Sequence, residues 1–201
     1  NEHTIKLKID KEFHALIPPL APEELSQLEA NLVADGCRDP IVTWNGVIVD
    51  GHNRYEICGR LGLPFKTHPV DFPEREYAKL WIEENQLGRR NISEDQRDMI
   101  GSDVVDRRSA IAKRERAKLG RKHGGDATPE QKAKRLSDTS SDKRSQPKSD
   151  TRAAVAKESK IPERKLRAAG ELKKKAPKLA EKVRRGELAI KAALKTIHRD
   201  E

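Results

Sequence analysis

The 201-residue chain carries 42 Lys and Arg against 33 Asp and Glu, a formal net charge of +9, and few aromatics: three Phe, two Trp and two Tyr. At about 100–200 residues per domain that is one or two small domains, which excludes a large enzyme core. The charge is uneven: residues 1–100 hold 12 Lys and Arg against 18 Asp and Glu, a net of −6, whereas residues 101–201 hold 30 against 15, a net of +15.

In chain order, residues 4–10 alternate Ile5, Leu7 and Ile9 with Lys6 and Lys8, the pattern of a half-buried strand. Pro22 opens a helix over residues 22–34, with Glu23 and Glu24 in its first turn, Leu25, Leu28 and Leu32 on one stripe, and Gly36 as the stop. Pro40-Ile41-Val42-Thr43-Trp44 and Val47-Ile48-Val49 flank Asn45-Gly46 and predict two antiparallel strands around a tight turn. A helix over 55–61 closed by Gly62, a strand within 65–72 and a helix over 74–87 follow. Ser93 and Gln96 occupy capping-box positions for a further helix through Ile100, Val104 and Ile111 toward Leu119. Residues 1–119 are therefore expected to form a mixed α/β (α+β) domain with a trailing helix.

Residues 120–150 contain one large apolar residue, Leu136, among Lys, Arg, Ser, Asp and Gly, so they read as a basic, flexible linker. Residues 151–172 and 179–197 each read as a helix pair, with Gly186 as a break, and make 151–201 an all-α domain. Phe13, Trp44, Tyr55, Phe65, Phe72, Tyr77 and Trp81 all precede residue 82, so this second domain must close on Ala, Leu, Val and Ile. No run approaches the ~18 apolar residues of a bilayer span, and no signal-peptide pattern precedes residue 30, which favours a soluble, intracellular protein without a membrane partner. The first residue is Asn1 rather than Met, which leaves a preceding segment open. Cys37 and Cys58 are too few for a disulfide framework or a structural zinc site and read as reduced packing residues.

Asp50-Gly51-His52-Asn53-Arg54 joins a strand to a helix, where free backbone N–H groups suit an anion. Gly51 allows close approach, Arg54 offers a charge-assisted contact to phosphate, and His52 offers a hydrogen bond or a proton near neutral pH. In isolation the same residues also suit a plain turn with a solvated His and Arg.

Leu28-Glu29-Ala30-Asn31-Leu32-Val33-Ala34-Asp35-Gly36, then Pro40-Ile41-Val42, then Val49-Asp50-Gly51-His52-Asn53-Arg54, then Glu84-Asn85-Gln86-Leu87-Gly88-Arg89 resembles the amino-terminal domain of ParB partition proteins, of the ParB/sulfiredoxin fold. The resemblance covers roughly residues 5–115. It implies a nucleotide pocket in which Gly36, Pro40 and Ile41 form the first motif and Gly51 and Arg54 bracket the phosphate-binding loop, with His52 in it. Glu84 and Asn85, with Arg89 after one inserted residue, would complete it around a triphosphate and its Mg²⁺, Glu84 reaching the metal. CTP, ATP and ADP are the candidate nucleotides. The family's loop Glu falls on His52 and its first Arg on Asn53, which counts against CTP hydrolysis. Free-serine kinases of the same fold carry a similar Asp-Gly-His-His-Arg-like loop, so phosphoryl transfer, with Asp50 or His52 as catalytic proton acceptor, stays open, as do nucleotide hydrolysis and nuclease activity. Sulfiredoxin's reactive Cys has no counterpart between Asp50 and Arg54.

Residues 151–172 resemble a helix-turn-helix: Ala156 is the small residue at the helix crossing, Ile161 and Leu166 the buried positions, Pro162-Glu163 the start of the second helix, and Lys160 stands where a turn Gly is usual. Lys160, Arg164, Lys165, Arg167, Lys173, Lys174 and Lys175 are the candidate DNA contacts. No aromatic follows Trp81, which disfavours base stacking and favours duplex over single-stranded DNA. The apolar residues of 179–197 suit packing on the helix-turn-helix or on a second copy, leaving a homodimer open. The expectation is a ParB-like DNA-binding protein of a bacterial chromosome, plasmid or mobile element, located in the cytoplasm on nucleoid or plasmid, whose nucleotide pocket controls partition or regulation. Binding is favoured over turnover.

Overall fold

The computed structural model describes residues 6–89, 91–124 and 151–200. Of the expected strand over 4–10, residues 4 and 5 lie outside the described residues, and 6–10 are reduced to one parallel bridge, Lys8 to Val47. The reason is Asp10: its carboxylate accepts from the Glu12 and Phe13 amides and caps a short helix, α1 (Lys11–Ala15), which draws the chain off the sheet. Helix α2 (Pro22–Asp35) starts at Pro22, with the Glu24 carboxylate on the Ala21 amide at 2.9 Å, and ends at Gly36. Strands β1 (Ile41–Trp44) and β2 (Val47–Asp50) pair antiparallel around Asn45-Gly46, both at positive φ, with a bulge between Val42 and Thr43. Helix α3 (His52–Leu61) follows Gly51 directly, three residues earlier than the periodicity suggests. Strand β3 (Thr67–Pro69) lies parallel to β1, so the sheet order is β2-β1-β3.

Helices α4 (Arg75–Leu87) and α5 (Glu94–Gly124) form a hairpin. The capping box at the start of α5 is present: Ser93 Oγ accepts from the Gln96 amide and Gln96 Oε1 from the Ser93 amide. This helix enters the expected linker, of which residues 125–150 lie outside the described residues. Helices α6 (Thr151–Ser159), α7 (Glu163–Lys175), α8 (Pro177–Arg184) and α9 (Ile190–Asp200) complete the chain. Lys160, between α6 and α7, takes the left-handed conformation usually given to glycine, φ 57°.

Two apolar clusters belong to the α/β part. Phe13, Val49, Ala78 and Ile82 pack with Trp44, Phe72 and Trp81, and Leu32, Ile57 and Cys58 pack with Leu28, Cys37, Leu63 and Phe65. The two clusters of the helical part both draw on α5. Val104 and Val105 pack with Val155, Ile161 and Leu166, while Met99 packs with Ala169, Leu172, Ala180, Val183, Ile190 and Ala193. The α6–α7 pair is thus seated on α5 rather than closed on its own apolar residues. Gly101 permits it: a Cβ there would lie 2.8 Å from Ile161 Cδ1 and Leu166 Cδ2. Among the described residues, no helix is long and apolar enough to cross a membrane.

Candidate functional site

The strand-to-helix bend after β2 opens into a cleft of about 1450 Å³. One wall is the segment after α1, with Leu16, Ile17, Pro18 and Pro19, together with Gln27, Leu28 and Asn31 of α2; the other includes Gly51, His52, Asn53, Arg54 and Arg89. Gly51 adopts φ 93°, and a Cβ on it would approach Ile41 Cδ1 and Arg54 Nη2 to 3.0 Å, so only glycine fits here without displacement. As N-cap of α3 it offers no side chain to the first amides of the helix, which leaves the positive end of the helix dipole uncapped at the cleft.

Two guanidiniums converge on Asp50. Arg89 Nη2 donates to Oδ1 at 2.7 Å, and Arg54 Nη2 donates to Oδ2 at 3.3 Å and to the Pro40 carbonyl at 3.2 Å. His52 is 3% exposed and neither of its ring nitrogens has a hydrogen-bond partner; the buried Nε of Arg54 is also unpartnered. Burial, then the His14 ring at 5.2 Å, pushes the His52 pKa down to about 4 against the pull of Asp50. The imidazole is therefore neutral at pH 7, with one N–H to donate and little tendency to take up a proton. An anion at the amino end of α3 would meet backbone amides, two guanidiniums and an unpartnered imidazole.

Not every residue expected at this site reaches it. Gly36, at φ 75°, ends α2, and Ile41 is fully buried beneath Gly51. Asn85 is exposed on the last turn of α4. Glu84 accepts from Arg108 Nη2 at 2.6 Å and lines a second, 480 Å³ groove with Glu158, Ser159 and Lys160. It does not fit the role of metal ligand in the cleft, because its place on the helix turns it toward α5 and α6. Among the described residues no group of three His, Cys, Asp or Glu is placed to hold a metal ion. His14 and the Pro18-Pro19 wall escape sequence reading: the prolines signal an extended segment but not what it faces.

The candidate DNA contacts divide in two. Lys160, Arg164, Arg167 and Lys174 are exposed, at the turn and on one side of α7, opposite Leu166, Ala169 and Leu172. Arg167 meets Glu163 at 3.5 Å while its side chain stays 66% exposed. Lys165 is drawn to Glu94 at 2.9 Å and Asp98 at 3.6 Å, and Lys175 to Glu171 at 3.1 Å. Lys173 is committed to α5, bonding Asp103 at 2.8 Å and Asp106 at 2.6 Å, so it serves the helical packing rather than the outer face.

No family model and no curated protein matches the chain. Solved structures do. The C2221 form of a pNOB8-like ParB-N domain is 19% identical, with a TM-score of 0.57 over 96% of this chain and 77% of that one. A second structure of the pNOB8-like ParB N-domain gives the same identity and TM-score over 96% of this chain and 72% of the other. At 96%, the match takes in the helical carboxyl-terminal part as well as the α/β part. The chain therefore has the fold of the ParB N-terminal domain.

Proposed function

We propose that this is a ParB-like DNA-binding protein in which α6 and α7 grip duplex DNA and the cleft at the amino end of α3 takes the phosphates of a nucleotide of the CTP, ATP or ADP class. The observation that carries the DNA reading is the exposed row Lys160, Arg164, Arg167 and Lys174 on the outer side of a helix whose inner side is buried. Neutralising phosphates releases condensed counterions, so the row gives binding that weakens steeply with salt. The nucleotide reading rests on Gly51, Arg54, Arg89 and His52. Binding is supported over turnover, because both Asp50 oxygens are held by guanidiniums and the His52 imidazolium is disfavoured. For the phosphotransferase, nucleotide-hydrolase and nuclease alternatives, Asp50 and His52 are poor proton acceptors in this arrangement, and no metal-ligand cluster occurs among the described residues. Such a protein would act in the cytoplasm on nucleoid or plasmid, alone or as a homodimer.

The test uses the full chain, since α5 supplies part of the helical core. Fluorescence anisotropy with a labelled duplex at several salt concentrations should show tight binding at low salt. Replacing Arg164 and Arg167 together by Ala should flatten the plot of log K against log salt by about two units, roughly one per phosphate contact. No duplex binding even at low salt removes the DNA role. Calorimetry with CTP, ATP, ADP and GTP should give a selective nucleotide signal that Arg54→Ala abolishes; a blank screen removes the nucleotide role.

A further inference from the structure

Outside the cleft, the chain's two cysteines lie together. Cys37 follows the Gly36 turn at the end of α2, is half-buried, and donates its thiol hydrogen to the Asp39 carbonyl at 3.4 Å. Cys58, on α3, is 1% exposed beside Leu32 and Ile57, and Cys37 packs against the same cluster. The two side chains are thus neighbours in one apolar cluster. One sulfur can be reached by a small reactant and the other only through the first.

We propose that Cys37 and Cys58 form a thiol–disulfide exchange site whose reactant is a low-molecular-weight disulfide such as oxidised glutathione. In the first step the Cys37 thiolate attacks one sulfur of the reactant, forming a mixed disulfide and expelling one small thiolate. In the second, Cys58 gives up its proton to water and its sulfur attacks Cys37 Sγ, closing the internal disulfide and expelling the second small thiolate. The protein loses two electrons and two hydrogens, and the reactant is reduced to two thiols. Burial, which remains once Cys37 is capped, raises the Cys58 thiol pKa, so the closing step should accelerate as the pH rises from 7 to 9. The new bond would fasten the corner between Gly36 and Pro40 to α3 and enclose the β1–β2 hairpin and the Gly51 bend in one covalent loop. The Pro40 carbonyl that accepts from Arg54 sits on that corner.

The test is incubation of the full chain with oxidised glutathione, read by intact mass and peptide mapping. The wild type should lose two hydrogens, carry no glutathione and yield a cross-linked peptide containing both residues. Cys37→Ala should not react while folded, and Cys58→Ala should stop at a stable glutathione adduct on Cys37. A lasting adduct on wild-type Cys37, a disulfide between two chains, or two unreacted thiols would overturn the proposal. If Cys58→Ala fails to fold, the wild-type peptide map decides alone: a cross-linked peptide supports the site and its absence removes it.

Discussion

Of the two parts of the molecule, the α/β part turns its cations inward onto carboxylates, and the helical part turns its surplus outward. Arg75 and Lys79 tie α4 to the amino-terminal segment through Asp10 and Glu12, and Arg107 ties α5 to α4 through Glu76 and the buried Glu83. In the helical part Asp103 takes Arg184 and Lys173 from α8 and α7. Lys160, Arg164 and Lys174 stay exposed. Large aromatics build the α/β core, whereas the helical part closes on Met99, Leu172, Val183 and smaller aliphatic side chains, and the cleft is lined by both parts, by His52 and Arg54 as well as Asp103 and Arg184. Net charge alone would have assigned the second part to an acidic partner; the geometry narrows that to a surface the width of one helix.

The comparison can be broken most severely at Glu83. It is 2% exposed and receives both Arg107 Nε and Nη2 at 2.7 Å, so Glu83→Ala leaves a half-buried guanidinium with Glu76 as its remaining carboxylate. A loss of about 3–5 kcal/mol in urea unfolding is expected. Because α4 lies in the α/β core through Ala78 and Ile82 and packs on the α5 cluster through Leu80 and Leu87, the loss should appear as one cooperative transition by near-UV and far-UV circular dichroism; two transitions would separate the parts. Gly101→Ala comes next. The added methyl meets Ile161 and Leu166, so overpacking of about 1–3 kcal/mol opposes the usual gain of about 1 kcal/mol for Ala in a helix. A net rise in stability would show that the α6–α7 pair does not rest on α5 in solution.

The smallest effect is in acid. The Arg75 hydrogen bond holds Asp10, and the Lys79 hydrogen bond holds Glu12, below their usual values of 3.8 and 4.5. A carboxylate lowered on folding adds stability that is complete above its unfolded pKa and is lost as the pH falls through the folded one. Glu83 and Asp98 run the other way: burial outweighs Arg107 and Lys165 and raises both. Their share is present below the ordinary carboxylate range and fades as the pH climbs through their raised values. Carboxyl-carbon NMR titration should place Asp10 and Glu12 below, and Glu83 and Asp98 above, free carboxylates; one common midpoint would contradict the division.

Local chemistry was legible in the sequence, and partnership across the fold was not. Asn45-Gly46, Pro22 and the Ser93 and Gln96 pair each specify backbone geometry within a few residues, and the structure carries all three. The expected strand failed over 6–10 because alternation says which side is apolar, not whether the next residue caps a helix; Asp10 does. At the cleft, Gly51 and Arg54 were readable, while the contact of Arg89 with Asp50 spans 39 positions and exists only once α4 lies beside β2. Lys173 and Lys174 are neighbours in one basic run, yet one anchors α5 and the other faces solvent, because helical phase assigns them different sides.

The turn between α6 and α7 ends on a trade. Lys160 holds a left-handed backbone that costs a side-chain-bearing residue about 1 kcal/mol and glycine almost nothing. Lys160→Gly should raise the melting temperature by a few degrees and, in the proposed role, loosen the grip on DNA by removing one cation. Durability and affinity would then move in opposite directions at a single atom pair, the Cα–Cβ bond of that lysine. A selection for thermal resistance alone would erase it.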